Sequence, residues 1–326
     1  MRTGRLRLLQ PGEPAPRALA RSLLERCSFP PAAPDAPGRP GFPCAVSGGP
    51  DSLALLVLAS EAGLCPVAYH VDHGLRPGSD SEVEVVEAAA AVIGARDERS
   101  GPVEVVSLRV ELAPGPNLEA RARAARFSVL PEDVATGHTA DDQAETVLIN
   151  LLRGSAAAGL AGMVPGARHP ILGIRRAETR AVCREAGIEW LEDPSNEDRA
   201  QLRNRVRHEL VPALNELSGR DVVPVLCRQA GLLSDDEAFL CGLASALDPT
   251  SARELADAPR PLARRAVRAW LRRATAAEHP PSSAAVERVL EVAAGSVRAC
   301  EIAGGVSVRR MKGRLVLHRD GVPEVQ

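Results

Sequence analysis

Short apolar runs alternate with longer amphipathic ones along the first two thirds of the chain. The runs Phe42–Val46, Val67–Val71, Val103–Leu108 and Val134–Ala135 are brief and read as buried strands. Helical periodicity covers about 51–63, 80–93, 118–129 and 140–152, and again 175–186 and 199–217. Strands that alternate with helices predict a parallel sheet with right-handed crossovers, a Rossmann-like α/β fold. Ahead of it, 14–27 reads as a short amphipathic helix with Leu19, Leu23 and Leu24 on one face. A proline-rich stretch then reads as a linker up to residue 41. Near Ser218-Gly219 the αβ rhythm stops. Helices follow at about 222–245, 260–274 and 282–294, then a hairpin of Gly305–Arg310 and Arg314–His318 turning at Lys312-Gly313. The pattern divides the chain into an N-terminal helix and linker (1–41), an α/β domain (42–218) and a smaller, mainly helical domain (219–326).

In open parallel sheets, ligands bind outside the carboxyl ends of the strands. The polar motifs start at such ends. Ser47-Gly48-Gly49-Pro50-Asp51-Ser52 joins the first strand to the next helix. Such a turn aims backbone N–H groups and a helix N-terminus at one point, where a phosphate sits well. Gly48 and Gly49 are expected to take positive φ and to let the backbone come close. Pro50 suits the first helical turn, where a missing N–H costs nothing. Ser47 and Ser52 are candidate hydroxyl donors. The lysine and spacing of a Walker A loop are absent. The plain alternative is an ordinary strand–helix turn.

His138, Asp141, Asp142 and Glu145 fall at i, i+3, i+4 and i+7, one face of a helix. Three crowded carboxylates repel one another unless a cation sits among them, and Mg²⁺ or a substrate ammonium would serve. A solvated acidic first turn is the simpler alternative. Arg123 and Arg126 share a helix face, and guanidinium forks bind phosphate, whereas Arg121 reads as solvated. Arg203, Arg205 and Arg207 follow Asp193-Pro194-Ser195-Asn196. They suit a nucleotide or an RNA backbone, or equally a solvated helix between domains.

The Ser-Gly-Gly-x-Asp-Ser turn resembles the PP-loop of ATP pyrophosphatases, which split ATP into AMP and pyrophosphate. Together with His138–Thr146 and the run His70-Val71-Asp72-His73-Gly74-Leu75-Arg76, it is similar to the tRNA(Ile)-lysidine synthase family. The likeness covers roughly residues 15–215 and is weaker afterwards, where only the plan of a small tRNA-binding domain agrees. Two positions depart from the family pattern: Phe127 stands for a tyrosine, and Gln201 for an aromatic.

The resemblance implies a reaction in which ATP adenylates the 2-carbonyl oxygen of the wobble cytidine of a CAU-anticodon tRNA(Ile). The ε-amine of free lysine then displaces AMP. In that scheme Ser47, Gly48, Gly49 and Ser52 hold pyrophosphate, Pro50 and Asp51 complete the ATP-binding turn, and Asp72 and His73 pack the nucleoside. Asp51 with one or more of Asp141, Asp142 and Glu145 holds Mg²⁺ or the lysine ammonium, Asp51 and Asp142 being the metal candidates. Arg123 and Arg126 face developing phosphate charge. His138 is the candidate base for the amine, and Arg203, Arg205 and Arg207 are the tRNA contacts. A PP-loop tRNA thiolase and a non-catalytic nucleotide- or RNA-binding module remain as alternatives.

Composition refines this only slightly. The seven cysteines include no C-x-x-C pair, which weighs against the thiolase and for reduced thiols in a cytosol. No stretch approaches a membrane span, and a homodimer stays open. Aromatics are 2%, so Ala, Val and Leu must build the core. The net charge of −2 gives no global nucleic-acid signal, but it is unevenly placed: −5 over residues 1–218 and +3 over 219–326. The C-terminal part is the better suited to a polyanion.

Overall fold

The computed structural model describes residues 17–32, 40–72, 80–96, 102–110, 118–193, 198–275, 281–302 and 305–319. The chain forms two compact units, Met1–Gly231 and Leu232–Gln326.

In the first unit, strands β1 (Phe42–Ala45), β2 (Pro66–Asp72), β3 (Glu104–Arg109) and β4 (Ala135–Thr136) form a parallel sheet in the order β3-β2-β1-β4. The order reverses between β1 and β4, so the crevice beyond those two strands is a topological switch point. Both main motifs leave the sheet there. Helix α1 (Ala18–Leu23) continues as a 3₁₀ turn to Arg26. Helices α2 (Pro50–Glu61), α3 (Asp80–Arg96), α4 (Leu118–Val129), α5 (Ala140–Leu152) and the short α6 (Ala157–Leu160) fill the crossovers and the stretch after β4. Every residue of α2 from Ser52 to Ser60 is buried. Its apolar side chains therefore wrap all round instead of forming one stripe, the mark of a central helix. Leu53, Leu55, Leu56 and Leu58 pack with Cys44, Val46, Val86, Ile174 and Val182.

Helix α7 (Arg176–Ala186) packs on α2 and ends at Gly187, whose φ of 69° closes the helix in the left-handed region. After it, α8 (Leu202–Arg205), a π-helical turn (Val206–Leu210) and α9 (Val211–Ser218) run on as one continuous helix. Pro212 has no N–H to give the preceding turn and its ring crowds that turn's carbonyl, which is where the wider turn falls. The division between units lies within α10 (Val223–Ala244).

The second unit holds α11 (Ala252–Asp257), α12 (Arg260–Thr275) and α13 (Ser283–Ala294). They pack with an antiparallel sheet of β5 (Ala299–Glu301), β6 (Val306–Met311) and β7 (Arg314–Arg319). Leu255, Val267, Leu271, Val289, Val292, Val308 and Leu315 form its core. Lys312 and Gly313, with φ of 47° and 80°, make the hairpin turn where the sequence places it. On α12, Arg264 pairs with Glu287 and Arg268 reaches Ser283, so both arginines are engaged within the unit. Among the described residues no helix is long and apolar enough to cross a membrane.

Candidate active site

The PP-loop turn is stapled from inside. Ser47 N donates to Ser52 Oγ at 3.1 Å, and Ser52 Oγ donates to Gly49 O at 2.9 Å. Ser52 therefore holds the loop together rather than offering its hydroxyl proton outward, whereas Ser47 is exposed. Leu191 N donates to Gly48 O at 2.9 Å from outside the turn. Gly48 takes φ of 78° as expected, but Gly49 does not: it is the extended N-cap of α2, φ −78° and ψ 159°. A Cβ at Gly49 would meet only Ser47 Oγ, at 3.6 Å, so neither the backbone nor the neighbouring atoms require glycine there. Pro50 opens α2 as expected, and the N–H groups of its first turn have no partner within the helix. The β4–α5 turn lies directly against this loop. A Cβ on Gly137 would come within 2.8 Å of Asp51 O, so only glycine lets the two turns touch.

The α5 motif is divided differently from its sequence spacing. Thr139 is the N-cap, so His138 lies outside the helix and does not share the carboxylate face. Its Nδ1 lies 2.6 Å from Thr136 Oγ1, which also lies 2.9 Å from His169 Nδ1. Asp141 turns away from the other carboxylates. Arg175 donates to it through Nε and Nη2 at 3.1 and 3.0 Å and binds Asp221 as well. Asp142 and Glu145 do face each other's surroundings, and the cations between them are arginines. Arg176 Nη2 and Arg203 Nη2 donate to Asp142 Oδ1 at 2.9 and 3.0 Å. Glu145, 2% exposed, accepts from Arg176, Arg203 and Arg207 at 3.2, 2.8 and 2.7 Å. Asp51, from α2, accepts from Thr179 and, at 3.4 Å, from Arg176 Nε. Three carboxylates thus meet three guanidinium groups.

Burial raises the Asp51 carboxyl, and Thr179 and Arg176 only partly offset it. Burial also acts against ionised Asp142, but Arg176, Arg203 and the Thr139 donors outweigh it and hold that carboxyl far below its usual range. Burial acts against ionised Asp141 too, but Arg175 and Arg176, its N–H included, together outweigh it and lower that carboxyl. Burial would lower Arg176, yet its three carboxylates keep it above the ordinary guanidinium value.

Arg203 and Arg207, expected to grip RNA, point inward at Glu145, and of that trio Arg205 is the exposed one, its side chain 59% accessible. Arg126 is half-buried on α4, and Asp72 ends β2 as expected. His73, the Arg123 side chain and the Pro194–Glu197 loop lie outside the described residues.

A divalent metal at Asp51 and Asp142 does not fit this arrangement. Each of the six oxygens of Asp51, Asp142 and Glu145 already accepts from an N–H or O–H. Mg²⁺ wants several free oxygens at short range. Among the described residues no His, Cys, Asp and Glu group has metal-binding geometry.

Sequence reasoning missed Arg176, the centre of the cluster, and its neighbour Arg175. A signal existed. Two arginines at the start of a helix oppose the helix dipole, so carboxylates must hold them.

A switch-point crevice, a Gly-Gly turn at one strand end and a carboxylate–arginine cluster at the next define an open α/β domain of the kind that binds ligands at its strand ends. A family profile described as a PP-loop domain matches residues 33–214, more than half of the chain, and a TilS substrate binding domain profile matches 251–316. A tRNA(Ile)-lysidine synthase of Nocardia farcinica is 39% identical over 306 residues, which is 86% of this chain and 92% of that protein. One of Rhodococcus erythropolis is 42% identical over 243 residues, 70% of this chain and 72% of that one. The chain belongs to the tRNA(Ile)-lysidine synthase family. Among solved structures, a U34-tRNA thiolase from Methanococcus maripaludis with its [4Fe-4S] cluster overlays with a TM-score of 0.49 at 17% identity, covering 67% of this chain and 79% of that one. That overlay is too loose to bear on function.

Proposed function

We propose that this protein is a C–N bond-forming ligase that joins free lysine to C2 of the wobble cytidine of a CAU-anticodon tRNA(Ile), using ATP. The observation that carries this is kinship across 92% of the length of a named synthase. ATP lies with its phosphates against Ser47, Gly48, Gly49 and the first turn of α2, where backbone N–H groups and the helix dipole favour anions. The cytidine 2-carbonyl oxygen attacks the α-phosphorus, the bond to pyrophosphate breaks, and an adenylated tRNA results. The lysine ε-amine then adds at C2, AMP leaves with the oxygen, and the amine loses its proton. His138, held at Nδ1 by Thr136, is the proposed base. Arg126 and Arg123 are the proposed partners of phosphate charge on α4. Asp72 and His73 border the nucleoside. The exposed Arg205 and the second unit are the proposed contacts to tRNA. Mg²⁺ enters this account only as the usual companion of ATP, since the acidic cluster offers it no free oxygens. Action in the cytoplasm and a homodimer both accord with this reading.

The test is AMP release from ATP with purified protein. It should require both lysine and a CAU-anticodon tRNA(Ile) transcript, and a methionine tRNA should not substitute. Release that needs a sulfur donor in place of lysine would favour the thiolase, and ATP binding without turnover would favour a binding module.

A further inference from the structure

One half-buried side chain bridges all three carboxylates of the acidic cluster. The guanidinium of Arg176 gives a different nitrogen to each of three carboxylates: Nε to Asp51 at 3.4 Å, Nη1 to Glu145 at 3.2 Å and Nη2 to Asp142 at 2.9 Å. Its side chain is 18% exposed. Asp51 sits in the first turn of α2, immediately after the PP-loop, whereas Asp142 and Glu145 belong to α5. One planar group from α7 therefore ties together the two helices that leave β1 and β4. Thr179, one turn further along α7, binds the other oxygen of Asp51. Arg203 and Arg207 complete the charge balance, each pairing with Asp142 and Glu145.

We propose that Arg176 is the positioning residue of the site, the resident cation that fixes the PP-loop helix against the α5 carboxylates and fills the place a divalent metal would otherwise take. The proposal rests on the ligase reading above for its kinetic arm and on geometry alone for its binding arm. The planar fork matters as much as the charge. A lysine ammonium at this position is a point charge and cannot hold three carboxylates from two helices in fixed directions. The phosphate cradle itself depends on Ser52, Leu53 and Leu191, not on Arg176. Loss of Arg176 should therefore act on turnover and leave ATP affinity nearly untouched.

The experiment compares the full-length wild type with Arg176→Gln and Arg176→Lys. AMP release with lysine and tRNA gives kcat and the KM for ATP, and Mn²⁺ titration without nucleotide reports direct metal binding. Both variants should lose about 100-fold in kcat, the scale expected when reacting groups shift by about 1 Å, while KM for ATP stays within about threefold. Arg176→Gln should bind Mn²⁺ at least about tenfold more tightly than wild type, because the cluster loses one positive charge and Asp51 Oδ2 loses its donor. Wild-type kcat in Arg176→Lys would overturn the positioning role, as would Mn²⁺ affinity in Arg176→Gln no higher than in wild type. Arg176→Lys keeps the charge balance, so its kinetics remain decisive even if Arg176→Gln fails to fold. A wild type that releases no AMP would refute the ligase reading, while the Mn²⁺ comparison would still decide whether Arg176 is the resident cation.

Discussion

Asp141 and Asp142 are adjacent, carry the same charge and do different work. Asp142 lies between two guanidinium groups and the α5 N-cap, whereas Asp141 pairs with Arg175, which also holds Asp221 in the segment before α10. Asp142→Asn leaves Arg176 and Arg203 without a full partner in a buried cluster. It should cost about 3 kcal/mol in chemical denaturation and abolish turnover. Asp141→Asn should cost about 1 kcal/mol and keep turnover within about tenfold. Both carboxyls titrate lower in the folded protein than in the unfolded chain. Their stabilisation is therefore full above about pH 4 and is lost as pH falls below it, while the raised Asp51 carboxyl works in the opposite sense. Melting temperature measured from pH 7 downward should drop in wild type, with a shallower drop in Asp142→Asn. The two glycines of the PP-loop are similarly unalike. Gly48→Ala forces a side chain into positive φ with Leu191 Cδ1 at 3.0 Å and should cost about 1–2 kcal/mol. Gly49→Val sits in ordinary backbone with only Ser47 Oγ near its Cβ, at an ordinary 3.6 Å, so it should melt near wild type yet lose ATP affinity by calorimetry.

At the scale of elements, much was legible because period and length agree. The strands at 42–46 and 67–71 and the helices at 140–152 and 175–186 appear within a residue or two of their patterns. What escaped has physical causes. Helix α11 has six residues and α6 four, too few for a period to register. Strand β5 has three residues and draws its stability from pairing with β6. The one-face reading of His138, Asp141, Asp142 and Glu145 failed because Thr139 begins the helix one residue after His138. The arginines on the α8–α9 helix were visible as a cluster, but their inward direction depends on the distant Glu145, which no local pattern reveals. The cap itself is testable. Thr139 Oγ1 donates to Asp142 Oδ2 at 2.7 Å and accepts from Asp142 N. Thr139→Ala should cost about 1–2 kcal/mol, and Thr139→Ser should recover most of it.

The molecule as a whole separates its charges. Residues 219–326 carry a net +3 against −5 before them, and within the first unit the inward arginines are already neutralised by carboxylates. On the proposed function, long-range attraction for a polyanion falls to this C-terminal part, whose residues 251–316 match a substrate-binding profile. A chain truncated after α10 should keep its ATP affinity and lose most of its tRNA affinity. Binding of tRNA by the full chain should weaken steeply with salt, by about 0.7–0.9 in log K per log salt for each phosphate contacted. Equal tRNA binding by the truncated chain would assign recognition to the first unit instead.

The claim beneath all of these is chemical: this crevice joins lysine to a cytidine. The most direct measurement is the mass of the wobble nucleoside after a CAU-anticodon tRNA(Ile) transcript is incubated with the protein, ATP and lysine, then digested. The expected product is cytidine heavier by one lysine less one water, formed only when ATP is present. Unchanged cytidine under those conditions, or a nucleoside carrying sulfur in the presence of a sulfur donor, would contradict the account.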